Sequence, residues 1–239
     1  INIEEYEKLK LSFSDNTKEE FDYIVAADGV YSRTKEILFK KEGTPKYFNS
    51  IALRGNIQNF ENSDISLYLG SNFHFVIYPI NQNNEFNFIS IVRKKLVGSE
   101  ITNRSLFKDK IFINNLMSQI SSKSDLNLSE LVNEIKCFPI FVSKKIKIPS
   151  NKNIFLMGDA FFSFPPSFAQ GASQSIESAN DLFNDLNNNL SNYYKKRVLK
   201  TKQINSRSSI NHYAFHIANP INVFFRTIFL KYLSKNKSF

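Results

Sequence analysis

The sequence predicts an α/β protein in which a parallel sheet with helices is contributed by both ends of the chain and an antiparallel sheet is inserted between. Two observations carry this. The short apolar runs Tyr23-Ile24-Val25-Ala26-Ala27 and Ile154-Phe155-Leu156-Met157 each read as a strand buried on both faces, as parallel strands are, and each stops at an aspartate beside a glycine. Residues 47–97 instead hold four β-rich segments separated by Asn-rich or Gly-bearing turns, the pattern of an antiparallel sheet.

Element by element, Leu9, Leu11 and Phe13 alternate with Lys10, Ser12 and Ser14, a half-buried strand, and a polar turn follows at Asp15–Glu20. After the first buried run, Ser32 is placed to cap a helix over Thr34–Lys40, with Glu36 in its first turn. The antiparallel strands are Phe48–Ile57, Ile65–Leu69, Phe73–Ile80 and Phe86–Val92, with a turn at Asn81–Asn84. Residues 105–136 read as helical with Ile111, Leu116, Ile120, Leu131 and Ile135 as apolar anchors, and Phe138–Ile148 reads as strand, ending at Pro149. Beyond the second buried run and a Pro165-Pro166 loop, Ile176, Ala179, Leu182, Phe183 and Leu186 fall at helical spacing. A basic helix then runs from Asn192 to about Ile217, Asn219-Pro220 interrupts it, and Val223–Leu233 resumes it.

Composition bounds the class. With 239 residues, at roughly 100–200 per domain, the chain forms one large domain or two small ones and buries a real core, which argues against disorder. The lone Cys137 excludes an internal disulfide framework and a cysteine zinc site, and favours a reducing, cytoplasmic compartment. No run of 18 apolar residues is present, so no segment reads as membrane-spanning. The net charge of +9 is unevenly held: residues 191–239 carry ten of the 31 basic residues and no Asp or Glu, leaving 21 basic against 22 acidic residues in 1–190.

The chemistry points to the two strand ends, Ala27-Asp28-Gly29 and Gly158-Asp159. In open α/β sheets ligands bind outside the carboxyl ends of the strands. A carboxylate there accepts hydrogen bonds from ribose hydroxyls, and glycine allows close approach of ligand and backbone. Taken alone, Asp28-Gly29 also fits a hairpin turn, although a helix signal follows it, and Gly158-Asp159 also fits a helix cap. The second site continues through Pro165-Pro166, which stiffen the loop, to Gln170-Gly171-Ala172, where unpaired amides at a helix N-terminus favour an anion.

These residues resemble a known family, the class A flavoprotein monooxygenases, which includes salicylate and para-hydroxybenzoate hydroxylases and the ubiquinone-biosynthesis hydroxylases. Gly158-Asp159-Ala160, Pro165-Pro166, Gln170-Gly171-Ala172 and Ile176-Glu177 are similar to its GD motif, and Ala27-Asp28-Gly29-Val30-Tyr31-Ser32 to its DG motif. His74-Phe75-Val76-Ile77-Tyr78-Pro79 is similar to the strand of its substrate domain, and Tyr193-Tyr194-Lys195-Lys196-Arg197 to the basic helix after its FAD site.

The resemblance implies an incomplete Rossmann-like FAD-binding domain plus an inserted antiparallel-sheet substrate domain. Residues 1–44 and 149–190 would belong to the first, 45–148 to the second, and 191–239 would form a basic helical tail. It implies that Asp159 binds the ribitol or pyrophosphate region of FAD and that Pro165, Gly171 and Ala172 lie against the isoalloxazine, with Gln170 beside them. Asp28 and Gly29 would sit near the pyrophosphate and the place where NAD(P)H contributes. The family's reaction reduces FAD with NAD(P)H, adds O2 to the reduced flavin and hydroxylates an aromatic ring, here an aromatic or quinone-precursor substrate. An FAD-dependent reductase or dehydrogenase of the same fold is the alternative, and an inactive remnant acting as a binding module is another.

The sequence departs from the family at Phe161-Phe162, where Ala-His is common, and at Lys35, where the DG motif usually closes on Arg; Arg33 lies two residues earlier. None of the seven glycines forms the Gly-x-Gly-x-x-Gly turn that grips the FAD diphosphate. With Ile1 as first residue, the expectation is a C-terminal portion of a larger flavoprotein that by itself binds FAD poorly.

Three further residues are candidates for a substrate pocket. His74 and Tyr78 share a face of one strand and either line the pocket or lie on the surface. Arg54 fits a bidentate carboxylate contact or an exposed strand position. His212 and His216, at i and i+4, lack the glutamate of a zinc-protease helix and read as a packed or solvated pair, so no metal site is expected. The basic tail reads first as a solvated helix, similar to the resembled family's own pattern, and second as a contact with an anionic membrane surface; with no accompanying motif, no nucleic acid is expected.

Overall fold

The chain is seen in a computed structural model that describes residues 2–5, 8–58, 60, 64–80, 84–122, 124, 126–186 and 190–235. In chain order the strands are β1 (Asn2–Glu5), β2 (Leu9–Ser12), β3 (Lys18–Phe21), β4 (Ile24–Ala26), β5 (Lys46–Gln58), β6 (Ser66–Gly70), β7 (Phe73–Pro79), β8 (Glu85–Arg93), β9 (Val132–Val142) and β10 (Ile154–Leu156). The α-helices are α1 (Arg33–Phe39), α2 (Lys110–Ser121), α3 (Leu128–Leu131), α4 (Gly171–Leu186), α5 (Ser191–Phe215) and α6 (Pro220–Lys235). Two units result: residues 1–48 with 141–210, and residues 49–140 with 211–239.

In the first unit β1, β2 and β3 form an antiparallel sheet, and β4 pairs in parallel with β10 in the register Ile24↔Ile154, Val25↔Phe155 and Ala26↔Leu156. Residues 18–20, read from sequence as turn, belong to β3, because Lys10 and Leu11 supply partners for Glu20 and Glu19; the turn itself is confined to residues 14–16. Ser32 caps α1 as expected, its Oγ accepting from the Lys35 amide at 2.9 Å.

The expectation that residues 23–27 are buried on both faces fails for Tyr23 and Val25, each 47% exposed. Leu182 and Tyr193 cover Phe155 on β10, but their cover does not extend across to Val25 on β4. The outer edge of β10 is closed by side chains rather than by a strand. Tyr194 Oη accepts from the Leu156 amide (2.9 Å) and donates to the Ile154 carbonyl (3.0 Å), while Tyr193 Oη donates to the Leu156 carbonyl (2.9 Å).

Helix α4 forms where the periodicity places it but turns the other way. Gln174, Ser178, Leu182 and Asp185 are buried, whereas Ile176, Ala179, Phe183 and Leu186 are exposed. Helix α5 explains the reversal. Its Arg197 donates to Gln174 Oε1 (2.8 Å) and Asp181 Oδ2 (3.1 Å), Tyr193 meets Ser178 Oγ (2.8 Å), and Lys196 and Lys200 pair with Asp185 and Glu177. A polar face that pairs Arg197, Lys196 and Lys200 with four α4 side chains holds the interface in place of the apolar one.

In the second unit the sheet order is β6-β7-β8-β5-β9. The four predicted strands from 48 to 92 are all present and antiparallel: β5 and β8 are longer than read by one or two residues at each end, β6 is shifted one residue toward the C-terminus, and β7 stops one residue earlier, at Pro79. Of the predicted turn at Asn81–Asn84, only Asn84 lies within the described residues. One sheet face, with Ile51, Leu53, Phe75, Ile77 and Phe88, is almost wholly inaccessible and forms the core. Helix α2 buries Ile113, Leu116, Met117 and Ile120; Ile111, expected as an anchor, is exposed.

The helical reading ends too late, since residues 132–136 are the start of β9, and the strand read as Phe138–Ile148 stops at Val142. Gly55 explains the first difference: a Cβ there would stand 2.4 Å from Val132 Cγ1 and 2.7 Å from the Asn133 carbonyl, so its bare backbone admits β9 beside β5. Ser143 explains the second, because its amide donates to the Ser163 carbonyl (3.1 Å) and draws the chain out of the sheet. The tail breaks at Asn219-Pro220 as read, with residues 191–210 in the first unit and the remainder in the second.

Candidate functional site

The parallel register of β4 and β10 brings the two glycine-aspartate strand ends side by side. The Met157 amide donates to the Ala26 carbonyl at 2.9 Å, which sets Asp28-Gly29 and Gly158-Asp159 on one edge of the pair. Neither strand end forms a hairpin. Gly29 takes φ 79° and its carbonyl accepts from the Ser32 amide, turning the chain into α1.

Asp28 is exposed, and its Oδ2 accepts from the Thr34 amide (3.0 Å) and hydroxyl (3.1 Å). Burial pulls its carboxyl upward, but hydrogen bonds from Ser32 and Thr34 outweigh that and hold it below the usual carboxylate range. Asp28 is therefore an exposed anion at neutral pH.

Gly158 has φ 55° and packs against α4, where a Cβ would lie 2.6 Å from Ser175 Oγ. Its carbonyl accepts from the amides of Phe161 and Phe162 at 3.0 Å, so residues 158–162 form a tight turn that leaves Asp159 exposed. The surrounding protein raises the Asp159 carboxyl, and the charge of Lys35 opposes the rise. Phe161 and Phe162, standing where the resembled family has Ala-His, are both buried with Ala26 and Leu156. They serve the core and contribute no polar group.

Lys35, read from sequence only as a substitute for the usual arginine, links the two strand-end loops. It is 4% exposed, and its Nζ donates to the Phe161 carbonyl (2.9 Å) and Ser143 Oγ (3.1 Å). Burial brings its ammonium down to about 8, partly offset by Asp159. It ties the helix after Asp28 to the loop after Asp159. Its place next to a capping Ser32 was visible in the sequence; its burial was not.

From the turn the loop passes through buried Pro165, whose carbonyl accepts from Ser208 Oγ, to Ala169 in the left-handed conformation at φ 51°. That residue aims the chain into α4. Gln170 accepts the Gln174 amide at 2.9 Å, and Gly171, Ala172 and Ser173 are exposed at the first turn. Nothing lies within 4 Å of a Cβ built on Gly29 or Gly171, so both strand-end loops open onto free space. An open helix N-terminus and two outward carboxylates suit a ligand carrying both anionic and hydroxyl groups.

The other candidates lie in the second unit. Arg54 on β5 registers with Ile89, which registers with Val76 on β7, and His74 and Tyr78 flank Val76. All three therefore share the sheet face opposite the core. Arg54 is exposed, and Tyr78 Oη accepts from Asn87 Nδ2. His74 is closed in: it is 5% exposed, packs on Phe215 and has Nδ1 3.0 Å from His216 Nε2. His212 and His216 are a packed pair, with ring centroids 4.2 Å apart. Among the described residues no group of three His, Cys, Asp or Glu side chains is placed to hold a metal ion, and no helix is long and apolar enough to cross a membrane.

The chain is 24% identical over 225 residues to the 3-amino-4-hydroxybenzoate 2-monooxygenase PtmB3 of Streptomyces platensis, covering 87% of this chain and 55% of that protein. It is 25% identical over 185 residues to the 6-hydroxynicotinate 3-monooxygenase of Bordetella bronchiseptica, covering 74% and 47%. The chain thus spans about half the length of these curated relatives. Among solved structures, a variant of Klebsiella pneumoniae HpxO complexed with FAD superposes with a TM-score of 0.78 at 15% identity, over 98% of this chain and 64% of that one. A salicylate hydroxylase substrate complex superposes with a TM-score of 0.74 at 17% identity, over 92% and 61%. These structures share the fold. The family described as FAD binding domain matches residues 12–211, nearly the whole span from β2 to the end of the α5 segment of the first unit, and the chain belongs to that FAD-binding family.

Proposed function

We propose that the chain supplies the DG and GD segments and the substrate sheet of an FAD-dependent monooxygenase that uses NAD(P)H and O2 to hydroxylate an aromatic or quinone-precursor substrate. The observation that carries the reading is the parallel β4/β10 pair, which sets Asp28-Gly29 beside Gly158-Asp159 and leads into the open N-terminus of α4. In this reading Asp159 holds the ribitol or pyrophosphate region, Asp28 and Gly29 approach the pyrophosphate, and Pro165, Gln170, Gly171 and Ala172 border the isoalloxazine.

When bound, FAD supplies the redox chemistry, carrying electrons from NAD(P)H to O2. The chain's own residues position and stabilise. Main-chain amides at Gly171 and Ala172, with the partial positive charge of the helix terminus, favour negative charge on the ring. Lys35 holds the two loops in register. On the sheet, the exposed Arg54 offers a bidentate partner for a substrate carboxylate and Tyr78 offers a phenol fixed by Asn87. His74 is buried, with its Nδ1 taken up by His216. The names of the relatives, monooxygenases of an aminohydroxybenzoate and of a hydroxynicotinate, favour a small carboxylated ring.

The test uses the whole protein purified with its flavin. Asp159→Ala is expected to weaken FAD binding about tenfold or more, the loss of roughly one charge-assisted hydrogen bond. Under labelled oxygen, a panel of aromatic carboxylates should yield a product carrying one labelled atom. Oxidation of NAD(P)H with no label in any product would replace the hydroxylase reading with a reductase or dehydrogenase.

A further inference from the structure

We propose that a groove in the first unit, between the start of β10 and the start of α5, binds a small amphipathic anion, an apolar chain that ends in a carboxylate. The inference stands on residues 148–199 and does not depend on the reaction assigned above.

The groove has a volume of about 960 Å³, within the range of sites that take small molecules. Its floor is Phe155 of β10, 1% exposed, with the half-buried ring of Tyr194 stacked on it at 14° between planes. Both walls are apolar. Val198 and Leu199 rise from α5, and Ile148 and the buried Pro149 stand on the segment before β10. Leu199 is 64% exposed and Ile148 47%, so the hollow presents hydrocarbon to whatever enters it.

The hollow follows from how α5 divides its faces. Lys196, Arg197 and Lys200 point to α4, where they pair with Asp185, Asp181 and Glu177. Tyr194 and Val198 are four residues apart, as are Lys195 and Leu199, and at 3.6 residues per turn both pairs fall on the opposite side of the helix. One face of α5 is therefore spent on ion pairs, and the other is left to border the groove.

The rim decides what enters. Lys152 and Lys195 border the groove, and both are exposed. Unlike Lys196 and Lys200, neither has a carboxylate partner among the described residues. The segments that build the groove, 148–155 and 190–199, contain no Asp or Glu to supply one. Two uncompensated ammonium groups beside an apolar hollow attract a negative headgroup, and the lysine stems extend the apolar wall while their charged ends follow that headgroup. Further in, the polar groups are already engaged: the Tyr194 hydroxyl serves the β10 main chain, and Asn151 Oδ1 accepts the Asn153 amide at 2.8 Å. The body of the ligand is accordingly hydrocarbon, with its polar end at the lysines.

The test uses the whole protein as purified and dodecanoate, kept below the concentration at which it forms micelles, with binding read by equilibrium dialysis. Dodecanoate is expected to bind, and dodecyltrimethylammonium, the same chain on a cation, to bind about tenfold more weakly or worse. Lys152→Glu with Lys195→Glu should weaken dodecanoate about tenfold. Leu199→Asp, at an exposed position, should abolish binding, whereas Arg54→Ala in the second unit should leave it unchanged, which separates this groove from the substrate sheet. Because the sequence has no Trp, Leu199→Trp sets a single reporter in the wall, and its emission should shift on adding dodecanoate. Protein that unfolds cooperatively yet binds no dodecanoate, or that binds the anion and the cation equally, overturns the proposal. So does binding lost in Arg54→Ala and kept in the lysine variant, or a dimer that Leu199→Asp dissociates with no dodecanoate bound, which would make a second copy the occupant.

Discussion

His74 Nδ1 stands 3.0 Å from His216 Nε2, and both rings are buried. Burial brings His74 down to about 3 and His216 to about 4, with the neighbouring His212, Arg93 and Arg226 adding to the depression. The rings stay neutral in the fold and take up protons on unfolding. Stability is therefore whole above about pH 6.5 and falls as pH drops from there toward 4, by up to about 1.4 kcal/mol per pH unit for each ring. Urea unfolding at pH 7.5 and 5 should show the loss, and His74→Phe should make the slope shallower. An unchanged slope in that variant would show that the acid sensitivity arises elsewhere.

Lys35 presents the opposite case, a buried cation. Its folded value of about 8 lies below the ordinary 10.5, so between those limits the unfolded chain holds the extra proton and stability rises with pH. The gain amounts to at most about 3 kcal/mol. Lys35→Met keeps the packing and removes the titration. Its stability should lack the alkaline rise seen for the native chain, while Phe161 and Ser143 lose a donor and the two site loops become more accessible to amide exchange.

Gly158 combines a left-handed backbone with close packing. Gly158→Ala meets a φ of 55° and the Ser175 side chain, whose Oγ can swing aside but whose Cβ would lie at 3.2 Å. Stability should fall by about 1–3 kcal/mol. If Asp159 holds FAD as proposed, the same change in the whole protein should also weaken FAD binding, whereas Gly171→Ala, with open space around it, should leave stability within about 1 kcal/mol of native.

The strand ends and the start of α4 were legible because each rests on local signals: an apolar run, a glycine where the backbone turns left-handed, a proline, a capping hydroxyl. Features set by distant partners were not. The buried face of α4 follows from Arg197 of α5, which gives Gln174 and Asp181 a reason to turn inward. The strand at Val132 follows from Gly55, 77 residues earlier, and local pattern alone allowed helix there. For the substrate sheet, alternation put His74 and Tyr78 on one face, but it took the strand register to add Arg54 to that face, and nothing local hinted that Phe215 and His216 cover His74.

The tyrosine pair at the start of α5 shows what such a distant partner is worth. Tyr194 Oη serves two main-chain groups of β10 at once, accepting from Leu156 and donating to Ile154, and its ring stacks on Phe155 with centroids 6.1 Å apart. Burial raises its hydroxyl, which keeps it protonated and able to donate throughout the physiological range. Tyr194→Phe preserves the ring and deletes only the oxygen, leaving a strand amide and a carbonyl without partners at the edge that carries Gly158 and Asp159. Each orphaned group costs about 1–3 kcal/mol when water is excluded, and partial wetting of the edge lowers the total toward about 2 kcal/mol. In a chain of this size that is a fall of roughly 4–8 °C in Tm. If the hydroxyl were ornamental, Tyr194→Phe would melt with the native chain; if it closes the sheet edge, amide exchange at Leu156 should accelerate together with the loss of Tm.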